Sequence, residues 1–217
     1  MHLEEAILAG TQHGREILVA GGLLAAAGTA VGLRKTDYER VPQVAVLTAA
    51  FFVVSLIHLQ LGPAKWHFVL TGLMGLVLGW AAFPAVLVAL ALQAAFFSVG
   101  GLMVLGVNTL VMAGPAVACY YLFGPTVRSR FEPVVFGGGF AAGAAAVMLG
   151  ALLAATALFA AGKSYEVFAG VIVVAHLLPA AIEGLVTASV VVLLRKVRPE
   201  LLDARPLPPV RQETAHG

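Results

Sequence analysis

The chain is a succession of long apolar stretches broken by short polar or basic joints, with little of the strict alternation that marks half-buried strands. A helix needs roughly 20 apolar residues to cross about 30 Å of hydrocarbon, and the pattern predicts seven such spans. They run from Glu16 to Leu33, Gln43 to Leu61, Trp66 to Phe83, Pro84 to Val99, Leu102 to Phe123, Val134 to Ala161 and Val167 to Leu194. The third and fourth are short and meet at Phe83-Pro84, so each is a candidate for a tilted, partial or bundle-buried element. Six spans is the alternative count. The expected fold class is all-α, a polytopic membrane helix bundle of about seven transmembrane helices, forming one domain over residues 1–196. Residues 197–217 are charged and Pro-rich and are expected to form a flexible cytoplasmic tail.

Composition sharpens this picture by exclusion. Sixty per cent of the 217 residues are hydrophobic and 11% are charged, a balance that a soluble domain of this size would struggle to keep in solution. The apolar runs use nearly the whole chain, leaving no room for a soluble catalytic or nucleic-acid-binding module. The net charge of +2 is carried by residues at the ends of apolar runs, where membrane topology uses them. Arg34, Lys35, Arg40, Arg128, Arg130, Arg195, Lys196, Arg198, Arg205 and Arg211 fall on one side of a seven-span arrangement, against Arg15, Lys65 and Lys163 on the other. That bias predicts an external N-terminus and a cytoplasmic C-terminus. The single cysteine, Cys119, lies in an apolar run and is expected to be a buried, inert thiol. No basic region precedes the first apolar run, so a mature start at Met1 is expected.

Against this apolar background the polar residues stand out. Between Leu56 and Gly79, His58 closes one run and His67 opens the next across a Gly62-Pro63 turn, so both imidazoles are expected on the same, external side. His176 and Glu183 are two helical turns apart, with Thr187 one turn further, and would share one face of the last span, kinked at Pro179. Ionisable groups in hydrocarbon are functional candidates by default; the structural alternative is that Glu183 accepts hydrogen bonds from neighbouring helices and pins the bundle. Gly106, Asn108, Gly114 and Pro115 predict an interrupted fifth span. Gly22, Ala26 and Ala30 form a small-residue stripe, for packing within the bundle or docking to another membrane subunit. Motifs for metalloproteases, serine hydrolases, Walker ATPases and paired-cysteine redox centres are missing.

The first two residues offer a different chemistry. A free α-amine followed by His2 presents the amine, the His2 amide nitrogen once deprotonated, and the His2 ring, closing fused five- and six-membered chelate rings in one plane. One more imidazole completes a square-planar set of the kind Ni(II) or Cu(II) favours. His67 would supply it; His58 and His13 are weaker candidates.

Several blocks together resemble the CbiM/NikM family, the substrate-binding membrane components of cobalt and nickel energy-coupling-factor ABC transporters. Met1-His2 matches the family's mature start, and His67 followed by Gly72-Leu73 resembles its histidine-glycine segment. The run Q-A-A-F-F-S-V-G-G-L-M-V-L-G-V-N-T-L-V-M-A-G-P from Gln93 to Pro115 resembles its most distinctive block, and P-A-A-I-E-G-L-V-T from Pro179 to Thr187 its last-helix motif. The resemblance implies seven helices in the inner membrane of a prokaryote and capture of Co2+ or Ni2+ from outside. It implies as partners a transmembrane coupling protein, two cytoplasmic ATPases and, in some systems, a small accessory membrane protein. Carried over, the metal nitrogens are those of Met1, His2 and His67. The chain departs from the family at Leu3-Glu4-Glu5-Ala6, where an acidic-glycine turn is usual, at Val99, where a histidine commonly precedes the paired glycines, and at Trp66-His67-Phe68, which lacks the usual small hydroxyl residues. The alternative readings are a stand-alone secondary metal permease and an integral membrane metal-dependent enzyme.

Overall fold

The computed structural model of the chain describes residues 11, 13–61, 64–162 and 166–203, with 58–61, 64–67, 166, 168 and 169 described by their backbone alone. The described chain is a helical bundle carrying one small hairpin. Its elements are α1 (Gly14–Lys35), α2 (Val41–Ser55), β1 (His58–Leu61), β2 (Ala64–His67), α3 (Thr71–Leu78), α4 (Ala82–Phe97), α5 (Leu105–Val127), α6 (Glu132–Ala161), α7 (Glu166–Ala175) and α8 (Leu177–Val197). Short 3-10 turns at Tyr38–Arg40 and Gly79–Ala81 join neighbours, and a third, Pro199–Leu202, follows α8. Among the described residues five helical segments, Gly14–Lys35, Thr71–Phe97, Leu105–Val127, Glu132–Ala161 and Gly170–Val197, are long and apolar enough to cross a membrane.

Chain direction resolves what length alone does not. Gly75 of α3 lies against Ala116 and Gly79 against Tyr120, so α3 and α5 run in parallel towards one end of the bundle. That end also holds Lys35, over the Trp80 ring, and Arg40, whose guanidinium donates to the Val77 carbonyl at 3.2 Å. Were α4 to continue in the direction of α3, Phe97 would finish roughly 50 Å from the start of α5 at 1.5 Å rise per residue. The link over residues 98–104 reaches at most about 28 Å, so Thr71–Phe97 doubles back. Gly79 makes the reversal, with φ of 54°, a left-handed conformation that suits a residue without Cβ. Descending α1, returning α2, the segment 68–78, returning α4, descending α5, returning α6 and descending α7–α8 make seven passes, of which the third is half extended chain and half short helix.

The third pass therefore differs from its expected form. Helix stops at Ser55 rather than Leu61 and resumes at Thr71 rather than Trp66, because the residues between form the antiparallel β1–β2 hairpin. All eight residues of α3 are buried, and the break falls at Gly79 rather than at Phe83-Pro84, since Pro84 sits in the first turn of α4 where its missing N–H costs nothing. The expected interruption of the fifth span is corrected too: α5 is continuous for 23 residues through Pro115. Gly106 serves contact instead, as a Cβ there would lie 2.5 Å from the Gly22 Cα. The stripe of α1 that packs inward is Gly21, Ala25, Gly28 and Gly32, while Ala26 and Ala30 are exposed. Buried Cys119 lies in the main core as expected. Past Lys196, Val197 still belongs to α8, and Pro199–Leu202 folds under the bundle with Leu202 buried; residues 204–217 lie outside the described residues.

Candidate metal centre and its supports

The hairpin brings the two central histidines together in the backbone. In the β1–β2 register His58 pairs with His67, Leu59 with Trp66, Gln60 with Lys65 and Leu61 with Ala64. Directly paired residues of antiparallel strands project to the same face with Cβ atoms about 5 Å apart. The hairpin belongs to the half of the bundle opposite Lys35 and Arg40, the half where α1 begins after His13. Met1 and His2, the other expected ligands, lie outside the described residues, as does the hairpin turn at 62–63.

Beyond His67 the chain dives to the middle of the bundle and meets Glu183. This carboxylate is completely buried. Its Oε1 accepts from the Val69 N–H at 2.5 Å and the Leu70 N–H at 3.2 Å, and its Oε2 from the Leu70 N–H at 3.0 Å. Leu70 has φ of 48° and directly precedes α3, so the carboxylate sits at that helix's positive N-terminal end, where negative charge is favoured. The site exists because α6 is lined with small residues there: a Cβ on Gly72 would meet the Gly143 backbone at 2.6 Å, and one on Gly143 would meet the Glu183 carbonyl at 2.6 Å. Of the two readings of Glu183, pinning by hydrogen bonds from neighbouring chain is the one the geometry realises.

The helix end that leads into the hairpin is tied as well. Gln93 of α4 is fully buried and its side-chain amide donates to the hydroxyl of Ser55, the last residue of α2, and to the Phe52 carbonyl at 3.4 Å. The Ser55 hydroxyl donates in turn to the Phe51 carbonyl at 2.6 Å. Sequence reasoning quoted Gln93 within a block without reading its role; a lone amide in an apolar run was the available signal. His176 sits between α7 and α8 with Nδ1 against the Ile172 carbonyl at 2.7 Å, and this junction, not Pro179, marks the break. Thr187, one turn beyond Glu183, is buried beside Gly143. Among the described residues no group of three or more His, Cys, Asp or Glu side chains is gathered as a metal site.

The bundle, its reversed half-helix and its hairpin define a polytopic membrane protein built around a buried chain segment. Residues 2–201 match the family described as the cobalt uptake substrate-specific transmembrane region, CbiM, and the chain belongs to that family. It is 43% identical over 209 residues to a protein of Haemophilus influenzae provisionally named a metal transport protein, covering 94% of this chain and 97% of that one. It is 35% identical over 202 residues to the fused nickel transport protein NikMN of Rhodobacter capsulatus, covering 82% of this chain and 58% of the fused protein. A solved transition metal transporter shares the fold with a TM-score of 0.71 at 23% identity, over 91% of this chain and 93% of its own. The family is a transporter component and not an enzyme, and the metal is its substrate.

Proposed function

We propose that this chain is the substrate-capture component of an ATP-driven uptake transporter for Co2+ or Ni2+. The ion is taken from the external side by the Met1 amine, the amide and ring of His2, and the His67 ring. The observation that carries the reading is the His58–His67 rung, a histidine pair on a hairpin that leads within two residues into the Glu183 contact. The opposite end of the bundle supports the orientation: Arg34, Lys35, Arg40, Arg128, Arg130, Arg195, Lys196 and Arg198 gather there, against Arg15 and Lys65 on the hairpin half among the described residues. That excess makes the basic end cytoplasmic. With no nucleotide-binding motif in the sequence, the energy comes from partner ATPases acting through a membrane coupling protein.

Coordination by the amine and the His2 amide requires both to lose a proton, so binding weakens as pH falls. Acid titration alone does not separate this set from any imidazole site. Extending the chain by one or two residues before Met1 does, because every side chain is kept while the fused chelate rings are lost. In purified protein whose start at Met1 is verified by mass, the extension and His2→Ala abolish the square-planar Ni(II) spectrum. His67→Ala is also severe and His58→Ala mild. Unchanged metal content and spectrum in the extended protein would rule out the amine as a ligand.

A further inference from the structure

We infer that Glu183 is a positioning residue for the metal hairpin, holding His67 in register through the backbone of Val69 and Leu70 and thereby tying the site's geometry to α8. The inference rests on the function proposed above and adds a residue that touches no metal. His67 and Val69 are two residues apart, so their Cα atoms lie within about 7 Å. The path between them leaves little slack, because His67 is fixed by pairing with His58 while Val69 is fixed by the carboxylate. Three properties separate this contact from ordinary packing. Glu183 is wholly buried, its two oxygens receive two consecutive backbone N–H groups, and those groups belong to a stretch outside any helix or strand that has no ladder of its own. Leu70 is also held in a left-handed conformation that a non-glycine residue adopts only when its surroundings impose it.

Gln93 ties the end of α2 at Ser55, three residues before the hairpin, to α4, while Glu183 holds the chain two residues after His67 from a different helix. A shift of α8 against α4 would change the separation of those anchors, and with it the placement of the His58–His67 rung. Glu183 is thus the point where α8 meets the chain that leads to His67.

The test compares Glu183→Gln and Glu183→Ala in the full-length protein, with Ni(II) as probe. Gln is nearly isosteric and keeps one acceptor oxygen, which can serve both N–H groups; Ala keeps none. Loss of outer supports of metal ligands costs about 10- to 100-fold in affinity. The expected order is therefore a loss of about 100-fold for Ala and about 10-fold for Gln, each with a shifted Ni(II) absorption spectrum. Metal-free melting of the Gln variant should stay close to wild type. A metal-independent reading comes from Trp66, next to His67: in a Trp80→Phe background its fluorescence anisotropy falls in Glu183→Gln. If Ala does not fold, Gln and Trp66 decide. A folded Gln variant with wild-type affinity, spectrum and Trp66 anisotropy overturns the inference. Wild-type protein that binds no Ni(II) or Co(II) would instead overturn the proposed function.

Discussion

Glu183 and Arg195 stand on the same helix, twelve positions or about 18 Å apart at 1.5 Å per residue, and both are buried to 1% exposure or less. Among the described residues, each is bonded to backbone rather than to a counter-ion. The carboxylate takes the N–H groups ahead of α3, while the guanidinium donates to the Val127 carbonyl at the end of α5 and to the Ser129 carbonyl at 3.0 Å. Anion at a helix start and cation at a helix end are the two favourable pairings with the helix dipole. What separates them is what lies next along the chain. Beyond Val69 is the histidine hairpin; beyond Val127 is only the turn into α6. Identical physics therefore serves the approach to the histidine hairpin at one level of α8 and the architecture of the basic end at another.

The largest effect that would sharpen this contrast comes from Arg195→Ala. Two carbonyls lose their donors, and an unmet buried group costs about 1–3 kcal/mol, so a destabilisation of about 3 kcal/mol is expected. Thermal unfolding in detergent should show it as a fall of several degrees, while Ni(II) affinity and spectrum of the protein that remains folded stay unchanged. A large change in the metal spectrum would break the comparison, since it would make both ends of α8 part of the site.

Gly75→Ala comes next. Its new Cβ would fall 2.0 Å from the Ala116 carbonyl oxygen, a backbone atom that cannot swing aside. The half-helix α3 must then move away from α5, and overpacking of this kind costs about 1–3 kcal/mol. Because α3 hangs directly from the residues Glu183 holds, some of that displacement should reach His67. The melting temperature is expected to fall less than in Arg195→Ala, with a modest loss of Ni(II) affinity that Arg195→Ala does not show. Equal spectra in the two variants would argue that the hairpin is insulated from α3.

The all-helical apolar class and the polar outliers were legible because hydrocarbon punishes uncompensated polarity, which makes Glu183 and the histidines conspicuous in sequence, while the helix count was legible only approximately. The turnaround at Gly79 was not, since a glycine in an apolar run reads equally as packing, and Pro84 next to Phe83 offered the stronger break signal. The hairpin was hidden for a related reason: Leu56 to Leu61 is apolar enough to extend the second span, and what takes it out of the helix is pairing with Ala64–His67 across the turn, which no single run of apolar residues reveals. Of the proposed site, sequence offered His67 as a candidate ligand and Glu183 as a possible pin; the target of the pin, two backbone N–H groups 114 and 113 positions away, carries no side-chain signature. The inward stripe of α1 was misplaced by one residue, from Gly21 to Gly22, because neighbouring small residues give two faces of equal promise.

The smallest expected effect lies one residue past Arg195. In sequence Arg195, Lys196 and Arg198 are one basic cluster at the end of the last span, and topology rules treat them alike. In the fold they part: Lys196 pairs with Glu132 at 2.9 Å with both side chains over 40% exposed, and Arg198 with Glu200 at 3.3 Å more exposed still. Exposed pairs contribute about 0–1 kcal/mol, because water screens the charges and ordering two long side chains offsets the attraction. Lys196→Ala should therefore leave the melting temperature within about 2 °C of wild type, given the few degrees that 1 kcal/mol moves a domain of this size. Metal binding should not respond. A fall as large as that of Arg195→Ala would mean that the Glu132 contact, and not the buried guanidinium, holds α8 to the start of α6, and the assignment of the basic end's stability to Arg195 would have to be reversed.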